Sequence, residues 1–316
     1  MTAFLNRIFE SRLLFAFTLG VIIYGLFFVP DDNATIRTWT EIWNLGHIGA
    51  FLILWLFAFN IFPRLKQLSV VQLILLMCIS TLVLGELIEY VQGLIGRDDE
   101  LQDVWDSGVG ALLAATFCST QIRKLSVLQR YLWRLLALSV LIAVPWSIWS
   151  ALADEFFIRQ QFPVLTDFST PFEMSRWHAN TAKIHLQKNG GPEPPFLAVD
   201  FQPATYSTVT LKYFYRDWRG YKHIILDMTN PESTDLNVIL RIHDRLHEQH
   251  QYALNDRFNR ALLIKPGRQR IVIAIDDIKN APVSRKMDMQ HIEELSIFTM
   301  RSRTYHHLSI YKIYLE

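Results

Sequence analysis

Between Gly85 and Ala115 the chain reads GELIEYVQGLIGRDDELQDVWDSGVGALLAA, an apolar frame interrupted by carboxylates, two amides and an arginine. Glu86 and Glu89 are three residues apart, as are Glu89 and Gln92, so on a helix they form one polar strip. A carboxyl group partly withdrawn from water and close to a second carboxylate has its pKa raised, which suits Glu89 to general acid or base work. His47 offers a second proton carrier and Asp103 a further carboxylate, so these three are the candidate catalytic groups. Glu86, Gln92, Arg97 and Ser107 would line the same pocket, with Arg97 as the partner for an anion. His47, Glu86, Glu89 and Asp103 are also metal-ligating types, but no HExxH or comparably compact pattern is present, and neither a metal nor a cofactor is expected. GxSxG, Walker and dinucleotide motifs are absent from the sequence. Two plainer readings compete: a structural ion-pair network, and acids that are simply solvated helix ends, as Asp98, Asp99 and Glu100 are taken to be.

A second set of chemistry-bearing residues lies downstream. Sugar recognition needs aromatic faces for stacking and planar polar groups for hydroxyl hydrogen bonds, in a concave site. Trp218, Tyr221 and Tyr252 supply the first type, and Arg241, His243, Asp244, Asp256 and Arg257 the second. Core or edge packing is an equally weighted reading of Trp218 and Tyr252. His243, His247 and His250 in HDRLHEQH invite a metal, but at a strand end a solvated loop is the better account.

The elements that must position these residues fall into two unlike parts. Up to about residue 152 the chain consists of long apolar runs; beyond it, charges, prolines and alternating patterns take over, so a boundary near residue 155 is expected. Five apolar segments, residues 13–29, 47–62, 69–91, 104–119 and 131–152, read as membrane spans, the second and fourth being short for that role. Basic residues (Arg7 and Arg12; Arg64 and Lys66; Arg123, Lys124 and Arg130) alternate with acidic connections, so the positive-inside rule puts the N-terminus in the cytoplasm and exports the C-terminal half. Asp103, Ser107, Gly110 and Ala114 recur at helical spacing as a small-residue face that admits a neighbouring helix closely. A pocket roofed by residues 96–102 follows from this arrangement.

Beyond residue 160 about eight segments alternate with period two, from LAVDFQ to HLSIYKIYLE, separated by turn chemistry such as NGGPEPP and TNPEST. That count suggests an all-β sandwich of jelly-roll type, with APVSRKMDMQHIEE as a helical insertion. A net charge of +1 without a basic stripe argues against a nucleic-acid partner. Both cysteines, Cys78 and Cys118, lie in apolar runs.

His47 in GHIGAF, followed by Glu89, Gln92, Arg97, Asp103 and Gly110, resembles the signature of the VanZ-like membrane family over about residues 10–120. The chain has Ser107 where that family usually has Asn, and Asn44 where an Asp often precedes the His motif. The resemblance implies a cell-envelope protein linked to low-level glycopeptide resistance. Residues 163–316, from DFSTPFEMSRW through DWRGYKHIILDMTNP and LRIHDRLHEQHQYALNDRFN to the last strand, resemble the galactose-binding-like sandwich of carbohydrate-binding modules and the complex I intermediate-associated protein 30 group. Many such sandwiches hold calcium with an acid in the last strand, where this chain has Tyr311 and Tyr314.

The expectation is an α-helical membrane bundle followed by an all-β, galactose-binding-like sandwich. Residues 1–125 form a VanZ-like four-helix domain, 126–159 a fifth transmembrane helix with linker, and 160–316 a periplasmic carbohydrate-binding-like domain of a bacterial inner-membrane protein. Its partners would be the lipid bilayer and a cell-wall or lipid-linked glycan at the outer face, which it binds or modifies. The alternative is a non-catalytic scaffold whose exported sandwich binds another envelope protein.

Overall fold

The computed structural model describes residues 16–22, 24, 37–94, 101–188 and 194–316. Most of the first expected span, Arg97 and nearly all of the roof loop lie outside them, as does most of the NGGPEPP turn. Two compact units are distinguished, Met1–Ala151 and Leu152–Glu316.

The first unit is helical: α1 (Arg37–Ile61), α2 (Val70–Leu94), α3 (Leu101–Cys118) and α4 (Val127–Gln161), with residues 16–22 also helical. Polar residues at the starts set the helix boundaries. Ser69 and Gln72 exchange hydrogen bonds at the head of α2, the Ser69 N–H donating to Gln72 Oε1 (3.0 Å) and the Gln72 N–H to Ser69 Oγ (3.2 Å). Ser126 and Gln129 do the same at the head of α4 (3.1 and 3.3 Å), so each capping box satisfies backbone donors that would otherwise be orphaned. The acidic connection before His47 is already helical from Arg37, and α4 runs through the expected helix-and-linker segment 126–159 to Gln161.

Where α1 meets α3, a Cβ on Gly110 would lie 2.3 Å from the Ile48 carbonyl oxygen, so only glycine allows that approach. Ser107 and Ala114, on the same face, are fully buried. Among the described residues two helices are long and apolar enough to cross a membrane, Val70–Ile88 and Val127–Gln161, while the apolar part of α1, Leu45–Ile61, is shorter.

The second unit is a β-sandwich. Its strands are β1 (Val164–Thr166), β2 (Trp177–Asn180), β3 (Ala182–Gln187), β4 (Phe196–Phe201), β5 (Ala204–Leu211), β6 (His223–Asn230), β7 (Leu236–Asp244), β8 (Phe258–Ile264), β9 (Gly267–Ala274), β10 (Ile292–Ser302) and β11 (His306–Leu315). One antiparallel sheet has the order β3-β4-β11-β6-β9, with β1 added to β11; the other has the order β2-β5-β10-β7-β8. The expected eight strands omit β1, β2 and β3, which are short and weakly patterned. No helix forms over APVSRKMDMQHIEE; a short one occupies Ile275–Lys279 instead.

Strict alternation decides which side chains the second sheet turns outward. Val209 and Leu211 of β5, Leu240 and Ile242 of β7, and Leu295 and Ile297 of β10 all belong to the core between the sheets. Their neighbours Thr208, Thr210, Arg241, Ser296 and Phe298 therefore share the opposite face. Register sets them in rows: Ser296 lies opposite Thr210 on one side and Arg241 on the other, and His178 of β2 continues the row beyond Thr210.

The last turns of α4 belong to this unit. Asp154 and Arg176 are both fully buried, and Arg176 donates to Asp154 Oδ1 from Nε (2.8 Å) and Nη2 (2.6 Å). Phe157 stacks on Phe172 at 5.8 Å. Beside them Glu173 accepts from the backbone N–H groups of Asp167, Phe168 and Thr170 and from the Thr166 hydroxyl. Burial alone would raise its pKa, but these donors outweigh it and hold the carboxyl below its ordinary value.

Candidate functional site

The outward face of the second sheet carries a cleft of about 430 Å³. Its floor and walls come from four strands and two loop ends: His178 and Asn180 from β2, Tyr206, Thr208 and Thr210 from β5, Glu294 and Phe298 from β10, and Arg241 from β7. Lys212 and Arg257, just outside β5 and β8, complete the lining. Tyr206 is exposed and lies against the nearly buried Phe298, ring centres 6.0 Å apart and tilted 59°.

A polar network crosses the floor. Arg241 Nη2 donates to Glu294 Oε1 and, at 2.9 Å, to Ser296 Oγ; the Ser296 hydroxyl donates to the same carboxylate at 2.6 Å, and Thr210 Oγ1 lies 2.9 Å from Ser296 Oγ. Burial would raise the Glu294 pKa, but nearby His243 and Arg241, with the Ser296 hydroxyl, draw it below its ordinary value. Next to this network His243 is almost wholly buried, and that burial pushes its pKa down to about 4. Arg257 is half-buried, and both burial and the neighbouring Arg241 lower its pKa. The Nε atoms of Arg241 and Arg257 are buried without a hydrogen-bond partner. One aromatic wall facing several fixed donors can stack on a sugar ring and bind its substituents.

Of the residues expected to bind sugar, Arg241 and Arg257 line the cleft. Trp218 requires correction: its ring is fully enclosed in the core against Phe214, its Nε1 donates to the Tyr215 carbonyl (3.1 Å), and it has no exposed face on which to stack. Tyr221 packs edge-on against Phe162 (5.2 Å) and lines a separate cleft of about 310 Å³ with Arg219, Asp276 and Lys279. Tyr252 is exposed on the loop after β7, edge-on to His247 at 5.5 Å, and does not line the cleft.

Asp244 and Asp256 are likewise corrected, because their oxygens are taken. Arg285 donates from Nη2 to Asp244 Oδ1 and from Nε to Asp256 Oδ1, each at 2.7 Å, tying the loop before β10 to the end of β7. Hydrogen bonding from Arg285, with smaller contributions from His247 and His250, holds the Asp256 pKa far below the carboxylate range. His247 and His250 approach Asp256 at 3.3 and 3.2 Å, and among the described residues no group of three metal-ligating side chains forms.

In the helical unit, His47 Nε2 lies 3.2 Å from Asp103 Oδ2, so α1 and α3 share a buried pair. Ser107 donates to the Asp103 carbonyl at 2.8 Å and is thereby committed to its own helix. Glu86, expected to line the same pocket, is exposed. The side chains of Glu89 and Gln92, and the whole of Arg97, lie outside the described residues.

Sequence reasoning missed Tyr206, His178, Glu294 and Phe298. The signal was present in ATYSTVTLK, where Tyr206, Thr208, Thr210 and Lys212 alternate with the inward Ser207, Val209 and Leu211. Alternation names two faces without saying which one the sheet order leaves open.

Fold and cleft together define a class: an antiparallel two-sheet β-sandwich with a polar, aromatic-walled cleft on one outer face, preceded by apolar helices. No family model and no curated protein matches the sequence. Among solved structures the chain is similar to a family 11 carbohydrate-binding module from Clostridium thermocellum in complex with a beta-1,3-1,4-mixed-linked tetrasaccharide, at 14% identity and TM-score 0.38, over 48% of this chain and 93% of that one. It is also similar to an exo-beta-agarase (15%, TM-score 0.39, 48% of this chain and 25% of that one). A further neighbour is a carbohydrate-binding module of family 28 specific for non-crystalline cellulose (12%, TM-score 0.35, 49% and 93%).

Proposed function

We propose that the chain is a membrane-anchored glycan-binding protein whose sandwich captures a carbohydrate in the cleft beside Tyr206. The observation that carries this reading is the cleft itself: an exposed tyrosine against Phe298, facing Arg241, Arg257 and Glu294 on a rigid sheet. Anchoring rests on α4, where Leu132, Leu135, Leu136, Leu138, Leu141, Ile142, Trp146 and Trp149 are all exposed, a spread far wider than a core-facing stripe. Such a surface is stable in lipid and not in water. Export of the sandwich and a bacterial inner-membrane location remain part of the proposal through the alternating basic residues. The His47–Asp103 pair acts as a fastening between α1 and α3, and no VanZ-like reaction or resistance role is built on it.

The test is titration of the full chain, in detergent, against a broad set of envelope and plant polysaccharides. Tyr206→Ala should weaken binding by about tenfold, the factor that a lost aromatic stack confers, without lowering the melting temperature. Trp218→Ala should do the reverse, costing about 3 to 5 kcal/mol of stability through the cavity it leaves. Failure to bind any glycan, or binding indifferent to Tyr206, would remove the reading.

A further inference from the structure

Two guanidiniums of the cleft, Arg241 and Arg257, lie near a single carboxylate, Glu294. Glu294, the carboxylate among its described lining residues, is already engaged by Arg241 and Ser296. Arg257 is left half-buried on the cleft wall, and among the described residues it makes no ion pair and no hydrogen bond through its buried Nε. Arg241 likewise keeps a buried Nε without a hydrogen-bond partner. A guanidinium withdrawn from water is normally matched by an anion, because its desolvation is otherwise uncompensated. Here Glu294 lies within electrostatic reach of Arg257 but is hydrogen-bonded to Arg241, so two guanidiniums share one carboxylate.

We infer that the cleft selects an acidic glycan, seating an anionic ring substituent (a carboxylate or a sulfate ester) between Arg257 and Arg241 while the sugar ring lies against Tyr206. The inference rests on the glycan reading and adds the chemical class of the ligand. Guanidinium forks suit such groups because they present planar, paired donors to planar or tetrahedral oxyanions. Tyr206 and Arg257 line the same cleft, so stacking and charge recognition would act on one bound glycan. Burial first, and then the neighbouring Arg241, lowers the Arg257 pKa, and a bound anion would oppose both effects.

The experiment titrates the full chain in detergent with an oligogalacturonate, a sulfated galactan oligosaccharide and the neutral beta-1,3-1,4-mixed-linked tetrasaccharide. At least one acidic ligand should bind about tenfold or more tightly than the neutral one, and the preference should shrink as salt rises. Arg257→Gln should abolish the preference by lowering acidic binding about tenfold or more, and should weaken neutral binding far less. Arg257→Lys, which keeps the charge without the fork, should retain part of it and so separates charge from packing. Neutral binding that equals or exceeds acidic binding, or a preference that survives Arg257→Gln, would overturn the acidic assignment while leaving glycan binding intact. Absence of binding to all three and to the broader polysaccharide set would overturn both.

Discussion

Asp154→Ala should loosen the sandwich although Asp154 belongs to a helix that runs on from the apolar unit. Both members of the Asp154–Arg176 pair have side chains with no solvent exposure, and Arg176 makes two short hydrogen bonds to one carboxylate oxygen, with Nη1 reaching the Leu165 carbonyl at 3.4 Å. Truncating the acid strands a guanidinium that has no solvent exposure, and breaking a buried pair from one side costs about 3 to 5 kcal/mol. Removing both charges, as in Asp154→Leu with Arg176→Met, should recover most of that loss, because a buried ion pair is worth little more than a well-packed apolar one. Hydrogen–deuterium exchange of the full chain in detergent reads this locally. Amides of β2 and β5, adjacent to Arg176, should lose protection by roughly a hundredfold or more in the single variant and by much less in the double. A loss below about tenfold in Asp154→Ala, or a double variant worse than the single, would refute the claim that an unpaired buried charge dominates the effect.

His243 should make the sandwich acid-sensitive. Its folded pKa of about 4 lies below the ordinary 6.5, so the unfolded chain binds the extra proton first. The contribution is fully present above pH 6.5 and is lost as pH falls towards 4, on the order of 3 kcal/mol. Denaturant titrations between those pH values should show that slope, and His243→Leu should flatten it. Gly110→Ala places a methyl group 2.3 Å from the Ile48 carbonyl oxygen, so α3 must move away from α1 at a cost of about 1 to 3 kcal/mol. The variant should purify in detergent with a lower melting temperature and with weakened cross-linking between cysteines placed at Leu52 and Ala114; unchanged values would show that the helices do not need this approach.

What the sequence determined by itself was local and periodic. Apolar runs and Ser–Gln capping pairs specified α2 and α4, and period-two alternation specified β4 to β11, because both signals are written in neighbouring residues. It also placed Gly110 and Ser107 on one helix face, since i, i+3 and i+4 spacing requires no knowledge of the partner.

The tertiary structure decided which face of each strand is open and which charges are already spent. Trp218 looks like a stacking residue in DWRGY and is the largest fully buried side chain of the sandwich, because its chain segment turns inward beneath Phe214. Asp244 and Asp256 look like sugar ligands until Arg285, some 30 to 40 positions later, is folded onto both. Tyr206 lies on β5 and Arg257 just before β8, non-adjacent strands whose meeting depends on the order β2-β5-β10-β7-β8, a set of long-range pairings that no short window of sequence contains. A binding site on a sheet is a property of strand order, and strand order is settled by the packing of the whole core.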